Sequence, residues 1–291
     1  MARARRIFRQ GTVVHVFNRT LGRRHRLKPT PEMVAGIEQR LIALQVRHRM
    51  QILAYAFMAN HFHLVLRIEC SQQLSDFMRD LQSWLARFSC RLFGGPSRFW
   101  AGRYRSQALC TPAAVRNKIR YVTAHGTKDG VTPSPVDWLG PTCARQMANP
   151  ATAPVAEVLT PTGRALRALV LSRTDEDQAL TEAEWATRQA ALVSSIVVEH
   201  ASRQFVGMSA AMAIPALWGP PDHEPPEPRP TVTVDATGED GEPDEEALEE
   251  VIEHYANTVS AATAAEFSVA VAGVSGARFP ADSPIPHWLP S

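Results

Sequence analysis

The sequence predicts an α+β fold of the ferredoxin-like, split βαβ kind: an antiparallel sheet with helices on one face, followed by a partly disordered acidic extension. Two observations carry the prediction for the first part of the chain. Apolar patterns alternate as strand, helix, strand, strand, helix, strand, helix up to about residue 125. Two apolar runs, Gln51–Phe57 and His61–Ile68, are separated only by a tight break at Ala59-Asn60, which reads as a hairpin. A third observation sets the rest apart. Residues 1–149 hold 24 Lys+Arg against 7 Asp+Glu, a balance of +17, whereas residues 150–291 hold 7 against 22, a balance of −15.

Taken in order, Gly11–Thr20 is β-branched and reads as the first strand. Leu21–Lys28 is a basic loop with Arg23 and Arg24. Thr30-Pro31 opens a helix through Arg47, with Met33, Ile37, Leu41 and Leu44 at helical spacing. The strand pair follows, and Ser71 is placed to cap the next helix, whose apolar stripe runs from Leu74 to Leu92. Gly94-Gly95-Pro96 ends it. Phe99–Leu109 is a basic, aromatic loop entering a fourth strand; Arg98, Arg103 and Arg105 interleave with Phe99, Trp100 and Tyr104. Such residues neutralise phosphates and stack bases, although a loop of this kind also tucks its rings into a core. Thr111-Pro112 starts a helix leading to Tyr121 and His125, four residues apart on one face.

Side chains alternate along a strand, so His61, His63, Val65 and Arg67 share one face while Phe62, Leu64, Leu66 and Ile68 share the other. The apolar set calls for helical cover and leaves the histidine face bare. Two residues of rise at roughly 3.3 Å each put the imidazole origins about 7 Å apart, close enough to converge on one metal ion. Alone, His-x-His in a strand is more often a hydrogen-bonded surface pair. With Tyr121 and His125 it gains a chemistry. Two imidazoles and a third side-chain ligand leave positions for phosphate oxygens on a Lewis-acid metal, Mg²⁺ or Mn²⁺. A phenol is an uncommon nucleophile that suits strand transfer, because phenoxide leaves more readily than alkoxide.

The positive half, nearly all arginine, points to a phosphate-rich partner. Cys70, Cys90, Cys110 and Cys143 form no CxxC pair, which suits a reducing cytoplasm. No run of 18 apolar residues exists to span a membrane. The start, Met1–Arg9, is basic without a signal-peptide core and reads as a phosphate-contacting arm. Further on, Thr181–Glu184 has the pattern of a capping box opening a helix to about Gln204. Expected organisation is a catalytic domain over 1–149, a helical extension over 150–212, and an acidic, Pro-rich, largely disordered tail over 213–291 with a helix near 245–264.

Asn18-Arg19, Met58–Leu64, Phe99-Trp100-x-Gly102-Arg103-Tyr104 and Arg120-Tyr121-Val122 come in the order and at the distances of the HUH tyrosine transposases. The chain resembles these over roughly residues 8–140, and among them the REP-associated tyrosine transposases of bacterial palindromic repeats. The resemblance implies a metal-dependent single-stranded DNA endonuclease and transferase acting on hairpin DNA, with His61 and His63 as ligands and Tyr121 as nucleophile. It also implies a homodimer associated with the nucleoid. Arg19, Arg23, Arg24, Arg98, Arg103, Arg105 and Trp100 are the expected DNA contacts. Two departures stand out: Ala59 where the family has Pro, and His125-Gly126 where it has Asn-Pro. Histidine is a competent ligand, so His125 reads as a substituted third ligand; a drifting, inactive copy is the other reading. A silent DNA-hairpin binder and a ferredoxin-like RNA-binding module are the competing classes, the latter poorly served by histidines where stacking aromatics belong.

Overall fold

A computed structural model of the chain describes residues 7–95, 98–205, 232–239 and 241–270. Most of the basic arm and the densest part of the proline tract lie outside these residues. The alternation becomes β1 (Val13–Arg19), α1 (Pro31–His48), β2 (Gln51–Phe57), β3 (His61–Arg67), α2 (Ser71–Phe93), β4 (Arg105–Leu109) and α3 (Pro112–Thr123). Beyond it come α4 (Ala144–Ala148), β5 (Val155–Thr160), β6 (Gly163–Ala168), α5 (Glu182–His200), β7 (Val232–Asp235) and α6 (Glu245–Ala270). Among the described residues the main sheet runs β2-β3-β1-β4-β7. Its first four strands are antiparallel neighbours, with β1 inserted between β3 and β4, as the ferredoxin-like arrangement requires.

Local chemistry sets the element ends. Thr30 accepts the Met33 N–H at 3.3 Å ahead of Pro31, and Thr111 accepts the Ala114 N–H at 3.1 Å ahead of Pro112. Cys70, not Ser71, caps α2, with its sulfur 3.4 Å from the Gln73 nitrogen. The Ser71 hydroxyl instead accepts the Phe8 N–H at 2.8 Å, tying the chain start to this helix. α1 and α2 pack side by side, and their stripes join Phe62, Leu64 and Leu66 in one core. The stripe of α2 frays at Leu92, which is exposed.

The opposite face is not bare, as the strand pattern had implied. α3 packs against β2 and β3 there, because Val115 and Val122 need cover and that face offers Val65, Ala54 and Ala56. The edge at β2 is capped, and the sheet extends past β4. Along β2, Phe57 donates to the Pro141 carbonyl, and Cys143 and Ser172 donate to the carbonyls of Tyr55 and Ile52. Along β4, β7 adds a parallel strand from Val232 opposite Ser106 to Asp235 opposite Leu109. A capped edge offers no template to another chain along β2.

The extension departs from a purely helical reading. β5 and β6 form a hairpin through Thr160–Gly163, where Gly163 takes a φ of +116° that favours glycine. α5 opens on the Thr181–Glu184 capping box and ends at His200. β7 falls inside the tract expected to lack structure. Carboxylates of the extension explain part of the acidic balance: Arg116 pairs with Glu176 and Glu239, Lys118 lies 3.9 Å from Asp235, and Arg120 pairs with Glu199. Arg67 and Arg9 pair with Asp175 and Glu250. The four cysteines are free thiols. Among the described residues no helix is long and apolar enough to cross a membrane.

Phe62 is fully buried behind the histidine strand, 5.5 Å from the rings of both Phe57 and Trp100. Phe62→Ala should cost about 3–5 kcal/mol, read from urea denaturation. A loss under about 1 kcal/mol would contradict this packing.

Candidate metal and tyrosine site

The site grows from strand register. His61 lies opposite Arg19 and His63 opposite Phe17, while on the other side of β1 Arg105 faces Phe17 and Gln107 faces His15. Residues paired across antiparallel strands point to the same face, so Arg19, Phe17, His15, His61, His63, Arg105 and Gln107 share one surface. His125 reaches it from beyond α3. It lies two residues past the last helical position, Thr123, rather than on the helix as its spacing from Tyr121 suggested. Its Nδ1 still finds the Tyr121 carbonyl at 3.2 Å, so the expected i to i+4 contact survives in the turn.

His61, His63 and His125 each bring a ring nitrogen within 4.8 Å of the others. Ring centroids are 4.2 Å apart for His63 and His125, 5.1 Å for His61 and His63, and 5.3 Å for His61 and His125. Every Nδ1 has a partner. His61 donates to the Asn60 side-chain oxygen at 2.6 Å, His125 to the Tyr121 carbonyl, and His63 meets His15 Nε2 at 2.9 Å. The Nε2 atoms are thereby left as the donors available to a metal. Outer partners of this kind fix ring orientation and tautomer in metal sites.

Burial decides the charge state. It pushes His61 down to about 4 and His125 down to about 3. His63 is held well below the ordinary imidazole range, by burial first and then by its neighbouring imidazoles. His15 is lowered to about 3 by burial and then by Lys118. All four rings are therefore neutral at physiological pH, the form that ligates. Burial works against ionisation of Asp129 too, but its bond from Lys128 outweighs this and holds the carboxyl below its ordinary range. Asp129 lies 3.9 Å from His125 Nε2.

Tyr121 is 40% exposed beside this buried cluster, its ring centroid 5.0 Å from that of His125 and 5.7 Å from that of His63. Two cations flank the ring: Lys128 Nζ at 4.5 Å and Lys118 Nζ at 5.3 Å from its centroid. Of the expected DNA contacts, Arg19 and Arg105 lie on the histidine face, and Arg105 stands 5.9 Å above the Phe17 ring. Arg23, Arg98 and Arg103 are exposed in loops, whereas Arg24 is buried. Trp100 is turned away. Its indole N–H bonds the Gln82 carbonyl at 3.2 Å and its ring packs on Phe62, on the helix-covered side of the sheet. Phe99 and Tyr104 are buried as well, so the loop offers arginines rather than stacking rings. His15, Gln107, Lys128 and Asp129 went unrecognised in the sequence. The alternation of His15 along β1 was visible there, but its relevance needed the neighbour order of the strands.

Unfolded imidazoles take up protons near pH 6.5 while these folded ones resist down to about 3 to 4. The unfolded state thus binds more protons across that window, and stability of the metal-free protein falls as pH drops from about 7.5 to about 3. Melting temperature against pH should show the decline. Replacing His61, His63 and His125 together by Asn should flatten it; an unchanged slope contradicts the assignment.

The family model described as "Transposase IS200 like" matches residues 10–124, from the start of β1 to the end of α3. Among solved structures, the chain is similar to a REP-associated tyrosine transposase bound to a REP hairpin: 17% identity, 62% of this chain and 100% of that chain covered, TM-score 0.42. It is also similar to a candidate transposase from Deinococcus radiodurans R1, at 20% identity over 42% of this chain and 94% of that chain, TM-score 0.31. A search of curated proteins gives no match. The matched stretch, residues 10–124, carries His61, His63 and Tyr121 and is similar to the IS200-like transposase family.

Proposed function

We propose that this protein is a metal-dependent single-stranded DNA endonuclease and strand transferase that nicks and rejoins hairpin DNA through Tyr121. The observation that carries the reading is an exposed phenol beside three neutral imidazoles, two buried and one half-buried, whose outer nitrogens are all engaged. His61, His63 and His125 would hold the ion through Nε2. This all-nitrogen set suits Mn²⁺ better than Mg²⁺, which prefers oxygen donors. When bound, the ion supplies Lewis-acid polarisation of the scissile phosphate.

The rest falls to the chain. Tyr121 Oη attacks phosphorus and gives up its proton. The bond from phosphorus to the 3′-oxygen breaks, that oxygen takes up a proton, and a 5′-phosphotyrosine forms. Attack by a 3′-hydroxyl reverses the step and frees the phenol. Lys118 and Lys128, close to the ring, can neutralise the incoming phosphate. Arg19 and Arg105 hold the strand at the reacting centre, and Arg23, Arg98 and Arg103 hold its flanks. Ring separations of 5.0 and 5.7 Å favour an active site built within one subunit, dimeric or not.

A labelled hairpin oligonucleotide with Mn²⁺ tests the reading. A covalent protein–DNA adduct should form, disappear in Tyr121→Phe and in His63→Ala, and disappear with chelator. A mobility shift without any adduct would leave a silent hairpin binder. Arg105→Ala should weaken hairpin affinity and lower the salt slope of binding by about 1, measured by fluorescence anisotropy; an unchanged slope removes Arg105 from the interface.

A further inference from the structure

We propose that His15 is the positioning residue for His63, its Nε2 accepting the His63 Nδ1 hydrogen and so directing the His63 Nε2 lone pair at the space shared with His61 and His125. The inference deepens the reading above and rests on it only for the presence of a metal. A neutral imidazole carries one ring hydrogen. If His63 is to ligate through Nε2, that hydrogen belongs on Nδ1 and needs an acceptor there. His15 Nε2, 2.9 Å away, is that acceptor.

The contrast with the other two imidazoles supports the assignment. His61 takes its Nδ1 partner from the adjacent residue and His125 from a carbonyl four residues back, both local consequences of the backbone. His63 takes its partner from another strand, 48 residues away. His15 is also held rigidly. It is 3% exposed, its ring lies nearly coplanar with that of His63, with centroids 5.1 Å and planes 9° apart, and Phe17 stacks on it at 5.1 Å. β1, which carries it, is bonded on both sides.

One further group completes the chain. For Nε2 of His15 to accept, its own hydrogen must sit on Nδ1, a buried atom with no bond of good geometry in place. Gln107 lies directly opposite on β4. Its side-chain oxygen is the acceptor this register places beside His15, giving a relay from Gln107 through His15 to His63.

Mn²⁺ binding to the full-length, DNA-free protein, measured by titration calorimetry, tests this without reference to cleavage. His15→Phe keeps an aromatic ring beside Phe17 and removes the acceptor; His15→Gln restores an oxygen acceptor. His15→Phe should weaken Mn²⁺ binding about 10–100-fold, the usual effect of deleting such an outer partner, and His15→Gln should recover most of it. Equal binding by wild type and His15→Phe overturns the proposal, as does His15→Gln no tighter than His15→Phe. If neither variant folds, ¹⁵N imidazole shifts of the unmodified protein loaded with Zn²⁺ decide. Nδ1–H tautomers at both His63 and His15 support the proposal, and an Nε2–H His15 overturns it. Wild type that binds no divalent ion overturns it too. Wild type that binds Mn²⁺ but forms no adduct sinks the strand-transfer reading alone, whereas an adduct with a dispensable His15 sinks this inference alone.

Discussion

Seven consecutive residue pairs join β1 to β3, from Val13 opposite Arg67 to Arg19 opposite His61. A slip of one residue would carry His61 and His63 to the helix-covered face and Phe62, Leu64 and Leu66 to the tyrosine side. The hydrophobic core forbids this, because those three side chains are fully buried against α1 and α2. Burial on one face thus fixes chemistry on the other. β1 serves both roles at once: it is a central strand with buried valines, and it delivers His15, Phe17 and Arg19 to the site.

Electrostatics then divides the labour. Where the imidazoles gather, burial keeps them neutral, so their clustering carries little repulsion and their lone pairs stay available. Around them the positive charge is sorted into two groups. Arg116, Lys118 and Arg120 on α3 meet carboxylates of the extension, while Arg23, Arg98 and Arg103 stand exposed in loops. The acidic half of the chain is therefore partly a counter-charge for the helix that carries Tyr121. That helix has no acidic residue of its own. The charge split along the sequence becomes, in three dimensions, a set of contacts across one interface.

Much of this was legible in the residues. Alternation along 51–68 gave the hairpin and the face of each histidine, and the Thr-Pro pairs at 30 and 111 marked two helix starts that the structure keeps. Tyr121 and His125 were paired by spacing alone, and the contact holds although His125 lies beyond the helix. Other features depend on relations that no local pattern encodes. His15 matters only because β1 inserts beside β3. Trp100 reads as a base-stacking ring until the core claims its face and Gln82 its N–H. The hairpin β5–β6 carries exposed Leu159 and Leu166, so its periodicity does not mark a buried face. β7 is a short strand of three β-branched residues and an aspartate set in an acidic tract, and it pairs with the edge of β4.

Anomalous diffraction from a crystal soaked in Mn²⁺ tests the central claim most directly, since it locates the ion without assuming any reaction. The account predicts one strong peak bonded to Nε2 of His61, His63 and His125, on the side of the cluster that Tyr121 borders. A peak bound elsewhere on the chain, or no ordered ion among these imidazoles, would contradict it.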